Sequence, residues 1–484
     1  MRRQFIKSCI ETIHISWHIT AACVGILVGV SLLQVLSYES FSGWPWLLGG
    51  ISLFLVCSVK RARFLLAVSL LAGCCIGMWR GGIDQRALLG YAPYYGRAVQ
   101  LSGQVREDAS IGKHGEWQLQ LSGVQLDGRS FSGKVWASVS AGVSIKRGDT
   151  VYLKGVLDQG FGSMAASMYR AKLRLVERPY PGDVARRVRD WFAEGVRQGI
   201  AEPQASLGIG FLTGQHSALP ATLDEQLRVA GLTHIVVASG YNLTVLVGFA
   251  RRVFAGVSKY LSTLSSVFMI GGFMMVAGLG ASMSRAGLVA GLSLAAWYWG
   301  RTIHPLVLLP FAACITVLVD PMFIWGDIGW YLSFLAFAGV IVLAPLLRSY
   351  FWPKESRTGA LKQILFDTFA AQLATLPLLL FVFGQFSSYA LLANILVLPF
   401  VPLAMLLTFL AGIAGLVNAG LAGIAGWPAQ FLLAYMTCII EWVAGLPGSS
   451  EEVRLSLLGC IGCYAVLVVL CLCLKRASRH NFYE

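Results

Sequence analysis

Residues 233–247, THIVVASGYNLTVLV, set His234, Ser239, Gly240, Asn242 and Thr244 inside a run otherwise apolar enough to enter a bilayer. Polar groups at membrane depth are costly and usually line a cavity or pathway. Ser239, five residues after His234, has the residue types of a hydrolase. However, no G-x-S-x-G elbow surrounds the serine, and no Asp or Glu lies near in sequence to orient the histidine. Two readings stay open. A broken helix here lines a path with its polar side chains, or Ser239, Asn242 and Thr244 hydrogen-bond neighbouring helices.

Further polar groups punctuate the apolar segments: Arg285 in GASMSRAGLVAGL, Asp320 and Asp327 in VLVDPMFIWGDIGWYLSF, Gln372 in AAQLATLPLLL and Asn394 in LLANILVLP. Arg285 either snorkels from the outer end of a span or pairs with Asp327. Asp327 precedes a helix and suits an N-cap. Gln372 and Asn394 are the buried donors and acceptors expected to hold discontinuous helices, as Pro377, Pro399 and Pro402 reinforce. Metal chemistry finds little support. Only His14 and His18 stand at helical i, i+4 spacing, without an H-E-x-x-H pattern, and Cys460 and Cys463 form a C-x-x-C inside an apolar helix with no second pair. No Walker A motif occurs. The expectation is a chain with no catalytic residue, no metal and no cofactor.

The elements that must position these residues follow from composition. The 484 residues are 56% hydrophobic and 13% charged, against about a quarter charged in soluble proteins, so the chain is a polytopic α-helical membrane protein. Its net charge of +14 follows in part from basic cytoplasmic loops and does not by itself show nucleic-acid binding. Three spans come first, 19–37, 44–59 and 64–79, in a membrane segment over 1–80. The apolar run 19–37 is too long for a signal-peptide core and reads as a retained span. An external segment over 81–182 follows, then amphipathic interfacial helices over 183–232. In the first of these, 183–200, Val184, Val188, Trp191, Phe192 and Val196 share a face. The second membrane block, 233–475, carries spans at 234–250, 261–280, 286–300, 305–319, 329–347, 364–383, 388–412, 422–445 and 454–474, and a cytoplasmic tail covers 476–484. Basic clusters at Arg2, Arg3 and Lys7, at Lys60, Arg61 and Arg63, at Arg251, Arg252 and Lys259, at Arg348, Lys354, Arg357 and Lys362, and at Lys475, Arg476 and Arg479 all fall inside if twelve crossings leave both termini cytoplasmic.

Between about 96 and 178 the pattern changes to short alternating runs, AVQLSGQV, EWQLQLSGVQL, FSGKVWASV, DTVYLKGVL and AKLRLVE, parted by turn residues. Period-two alternation over five short strands predicts a small β-barrel compatible with an OB-fold, a fold that often binds oligonucleotides. Lys and Arg outnumber Asp and Glu here. Lys134, Lys146, Arg147 and Lys154 are candidates for phosphate contact, and Trp117, Trp136, Tyr152 and Tyr169 for base stacking. Alternatively the aromatics turn into the barrel core.

Four segments in order, GFLTGQHSALPATLDEQLRVAGLTHIVVASGYNLTVLV, ASMSRAGLVAGL, DPMFIWGDIGWYLSFLAFAGVIVLAP and AAQLATLPLLLFVFGQFSSYALLANILVLPFVPLAM, resemble the ComEC family of competence DNA-uptake channels over about 207–405. The three leading spans and the β-rich external segment resemble that family's N-terminal part. The resemblance implies a bacterial inner-membrane channel carrying single-stranded DNA. Its implied partners are an external DNA receptor, a cytoplasmic helicase-like motor and a separate nuclease, with homo-oligomerisation open. Asn242 stands where the family motif has His, and Tyr331 where it has Gln. The metal signature H-x-H-x-D-H of the metallo-β-lactamase-like domain in long family members is absent. A secondary transporter of a small solute and a scaffold without a pore are the competing expectations.

Overall fold

The computed structural model describes residues 13–34, 36, 41–60, 62–112, 115–140, 142–180, 182–215, 219–236, 240–254, 256–278, 280–301, 304–352 and 359–478. The chain divides into two compact units, one of Met1–Val184 with Leu306–Trp330, the other of Ala185–Pro305 with Tyr331–Glu484.

The first unit begins with helices Ile15–Leu32, Trp44–Lys60 and Leu65–Leu89. The first and third pack backbone to backbone. A Cβ added at Gly25 would lie 2.0 Å from the Leu70 carbonyl oxygen, and one at Gly73 2.0 Å from that of Ala22. Small residues permit such approach where lipid gives no hydrophobic drive between helices. The third helix runs to Leu89 instead of ending near 79. Arg80 and Asp84 pair at i, i+4 (2.5 Å), and Arg80 also donates to the carbonyls of Leu318 and Val319 at 2.8 and 3.0 Å. The charges that marked an end in sequence are thus satisfied within the helical extension.

Five strands follow: β1 Ala98–Val105, β2 Trp117–Leu126, β3 Val135–Val139, β4 Thr150–Val156 and β5 Ala166–Glu177. They close in the order β1-β2-β3-β5-β4-β1, antiparallel throughout except for the parallel β3–β5 pair. This is the OB-fold order. Alternation places Val99, Leu101, Leu119, Leu121, Val151 and Leu153 in the barrel core, and closure removes the unpaired strand edges that invite aggregation. Asp127 and Gly128, both at positive φ (46° and 82°), make the tight hairpin joining β2 to the short strand Arg129–Phe131.

Among the described residues, eight helices are long and apolar enough to cross a membrane: Ile15–Leu32, Leu65–Tyr94, Lys259–Ala277, Ile328–Phe351, Lys362–Val382, Ala390–Val417, Ala419–Ala444 and Leu457–Ser478. The other four of the twelve expected spans also fall on helices, of lesser length or hydropathy. Those at 44–59 and 305–319 are shorter apolar helices, Trp44–Val59 and Leu306–Val319. The span at 286–300 is the helix Ala281–Tyr298, more polar because it carries Ser282, Ser284, Arg285 and Ser293. Of the span at 234–250, Thr233–Val236 and Gly240–Phe254 are helical, and residues 237–239 lie outside the described residues. Much of the spans' surface is apolar and uncovered: on Leu457–Ser478, Leu458 is 82% and Val466 67% exposed. A helix apolar on all sides yet uncovered by protein calls for lipid.

In the second unit, the helix Val184–Gly199 divides its expected apolar face between exposed and packed residues. Val188 and Trp191 are exposed, while Arg186, Arg189, Ala193 and Val196 are buried. Arg186 and Arg189 both reach Asp190, each at 3.1 Å. The opposite face sits tightly on two later helices: a Cβ added at Gly415 would fall 2.0 Å from the Gly195 carbonyl oxygen, and one at Gly426 2.1 Å from that of Gly199. Glycines at these crossings allow a helix with four arginines to be a packed element of the unit.

Candidate functional site

On the barrel, alternation sends every second residue of β3, β4 and β5 outward. Trp136 on β3 lies 5.0 Å from Tyr169 on β5 and 5.5 Å from Phe161 in the loop between β4 and β5, ring centroid to ring centroid. Tyr169 is 54% and Phe161 48% exposed. Beside this aromatic cluster, Lys154 of β4 stands directly opposite Lys172 of β5, both exposed. Like charges facing each other across a sheet destabilise it, and a polyanion on that face would reverse the sign. Tyr152 is exposed, and its hydroxyl donates to Glu177 at 3.2 Å. The Glu177 charge holds the Tyr152 phenol above its ordinary range. Lys146 is also exposed.

Three of the residues expected on this face are committed elsewhere. Lys134 is 8% exposed, forms an ion pair with Asp320 at 2.8 Å, and lies 4.7 Å over the Phe323 ring. Arg147 is 6% exposed and paired with Asp183 at 2.5 Å. Trp117 packs against the barrel core. Lys134 and Arg147 are internal struts of their unit and are withdrawn as strand contacts. Phe161 and Lys172 take their place. Strict alternation from Tyr169 would turn Lys172 inward; the positive φ of Arg170 (48°) shifts the pattern and leaves Lys172 exposed, whereas Phe161 sits in a loop and carried no periodic signal. Near the Lys134 pair, burial pushes the Glu107 carboxyl above its ordinary range, against the pull of Arg106 and Lys134.

The membrane residues separate in the same way. Asn242 is fully buried, and its amide donates to the carbonyls of Phe211 (3.1 Å) and Ile235 (3.3 Å). Asn394 is 1% exposed and donates to Ala390 O at 2.8 Å. Both amides hold backbone, so neither is presented to a passing strand. Thr244 donates back to the Gly240 carbonyl within its own helix. His234 is exposed on its short helix, Gln372 is half-buried, and Ser239 lies outside the described residues. Asp327, in the first unit, caps the next helix by accepting from the Trp330 N–H at 2.8 Å, with Ser163 Oγ at 3.4 Å. Arg285 has other company: it donates through Nε to Ser333 Oγ, and its guanidinium lies 5.9 and 5.5 Å from the Phe334 and Phe337 rings. Ser282 Oγ reaches the same Ser333 hydroxyl at 3.3 Å. Gly240 completes the group, since a Cβ there would come within 3.3 Å of the Arg285 guanidinium. Of the expected pathway residues, then, Gly240 and Arg285 are brought together, joined by Ser282 and Ser333.

Elsewhere in this unit a cavity of about 300 Å³ is lined by Gly248, Arg251, Arg252 and Trp297, with Arg251 4.2 Å over the indole. Among the described residues, no three of His, Cys, Asp and Glu cluster as metal ligands do.

The profile of the competence protein family matches residues 211–477, more than half of the chain and nearly all of the second unit's spans. The chain belongs to this family. ComE operon protein 3 of Bacillus subtilis (strain 168) is 25% identical over 172 residues, which cover 35% of this chain and 21% of that protein. The match thus spans about a fifth of the relative's length. No solved structure matches. Membership of the competence family and the eight apolar helices make the chain a multi-pass membrane protein with an OB-type barrel. The Gly240–Arg285–Ser333 group falls inside the family-matched region, and the barrel precedes it.

Proposed function

We propose that this competence-family member is a channel through which single-stranded DNA crosses the bacterial inner membrane during natural transformation, with both termini cytoplasmic. The observation that carries the reading is the pairing of a family-matched membrane block with a barrel of OB order whose outer face combines stacking rings, Trp136, Phe161 and Tyr169, with the facing cations Lys154 and Lys172. Single strands are bound by this combination, because bases stack on aromatic rings and phosphates meet cations. In this reading the chain performs no bond cleavage. An external receptor, a helicase-like motor and a nuclease are separate proteins.

The competing solute-transporter reading has no use for a basic, aromatic barrel outside the membrane. Deleting residues 96–178 decides between them. A DNA channel loses uptake of labelled DNA, whereas a solute carrier that reaches the membrane keeps its transport. Uptake unchanged by the deletion would remove the barrel from the path.

A further inference from the structure

We infer that Arg285, with the hydroxyls of Ser282 and Ser333, forms a phosphate-binding station beside Gly240, and that its ligand is a phosphodiester of the translocating strand. The inference rests on the channel reading above and names a contact within it.

Arg285 is only 9% exposed, in a helix that packs among membrane spans. A guanidinium so placed is costly unless a partner balances its charge. Among the described residues, no carboxylate lies within ion-pair distance of it. Its Nε donates to Ser333, two phenyl faces lie beyond 5 Å, and its two terminal nitrogens carry no hydrogen bond. Two neutral rings and one hydroxyl do not balance a full positive charge.

A second observation comes from the neighbouring element. At Gly240, in the helix Gly240–Phe254, an added Cβ would lie 3.3 Å from a terminal nitrogen of the guanidinium, so a larger residue there would crowd that nitrogen. Ser282 and Ser333, 3.3 Å apart, add hydroxyl donors. A planar guanidinium and two hydroxyls together suit a tetrahedral oxyanion, and Arg meets phosphate through two parallel bonds. A lipid headgroup shares this chemistry, so the test separates a strand adduct from a lipid adduct.

The experiment uses a deletion strain complemented with the full chain, carrying the photocrosslinking substitution Phe337→p-benzoylphenylalanine, supplied with labelled DNA. The expected result is a strand adduct at position 337 during uptake and, for R285Q at equal membrane level, loss of the adduct with uptake reduced roughly ten-fold or more, the scale of one charge-assisted contact. R285K should recover part of that uptake. Should R285Q fail to accumulate, the double variant S282A/S333A removes only hydroxyls and should reduce uptake several-fold. Uptake by R285Q equal to wild type, or an adduct with lipid and none with the strand, overturns the inference while leaving the channel reading intact. Failure of the wild-type chain to restore uptake overturns the channel reading itself.

Discussion

Asn242 shows how a residue can be conspicuous in sequence for one reason and used for another. An amide inside an apolar run reads as a pathway group, yet its hydrogens go to the carbonyls of Phe211 and Ile235. The first partner lies far back in the sequence, so nothing local announces it. Asn242→Leu should therefore lower stability, by about 1–3 kcal/mol for two buried carbonyls left without a donor, and a thermal melt of the full chain in nanodiscs reads it. Lys134 and Arg147 teach the same lesson for charge: Asp320 and Asp183, which bury them, are distant in sequence. By contrast, the N-cap role open to Asp327 is local, and a cap is visible wherever an acid precedes an apolar helix. Glu107 gives a pH prediction. Burial raises its folded-state pKa above the unfolded value, so the folded chain holds that proton more tightly. Its contribution is most favourable below the ordinary Glu range and declines as pH rises through that range to the folded value. E107Q should melt higher than wild type at neutral pH, and the two should converge below about pH 4.

At the scale of elements, the barrel was legible because five alternating runs parted by turn residues leave few alternatives. The hairpin at Asp127–Gly128 is written in its two residues. The closing order, with the parallel β3–β5 pair, was not, since strand pairing joins segments far apart in the chain. Hydropathy placed the eight long helices, while Ser and Arg make Ala281–Tyr298 more polar and Trp44–Val59 and Leu306–Val319 are shorter apolar helices. The packed side of Val184–Gly199 is set by glycine contacts at Gly195 and Gly199, which hydropathy does not see. Gly415→Leu should push this helix off its neighbours and lower the melting temperature, whereas Leu at Gly423, where a Cβ meets nothing, should change it little. On the barrel, K154E/K172E should weaken single-strand binding and flatten its salt dependence, by about 1–1.5 in log–log slope for two lost phosphate contacts. Trp136→Ala should cost about 1–3 kcal/mol of binding and leave the slope unchanged. Fluorescence anisotropy over a salt series separates the two.

For the molecule as a whole, one chain carries an OB-type barrel, the proposed receiver of the strand, and a helical block with apolar outer faces that holds Arg285. Each part has a simpler explanation alone: a barrel is a common fold, and polar residues in spans often serve packing, as Asn242 and Asn394 do. The combination, in a chain of the competence family, is what points to a strand as cargo. The most direct test is uptake of fluorescently labelled DNA into the cytoplasm of a transformable strain lacking this gene, with and without the full chain restored. The account predicts that the deletion abolishes cytoplasmic label while leaving DNA bound at the cell surface, and that the restored chain returns it. Cytoplasmic uptake at the wild-type level in the deletion strain would contradict it.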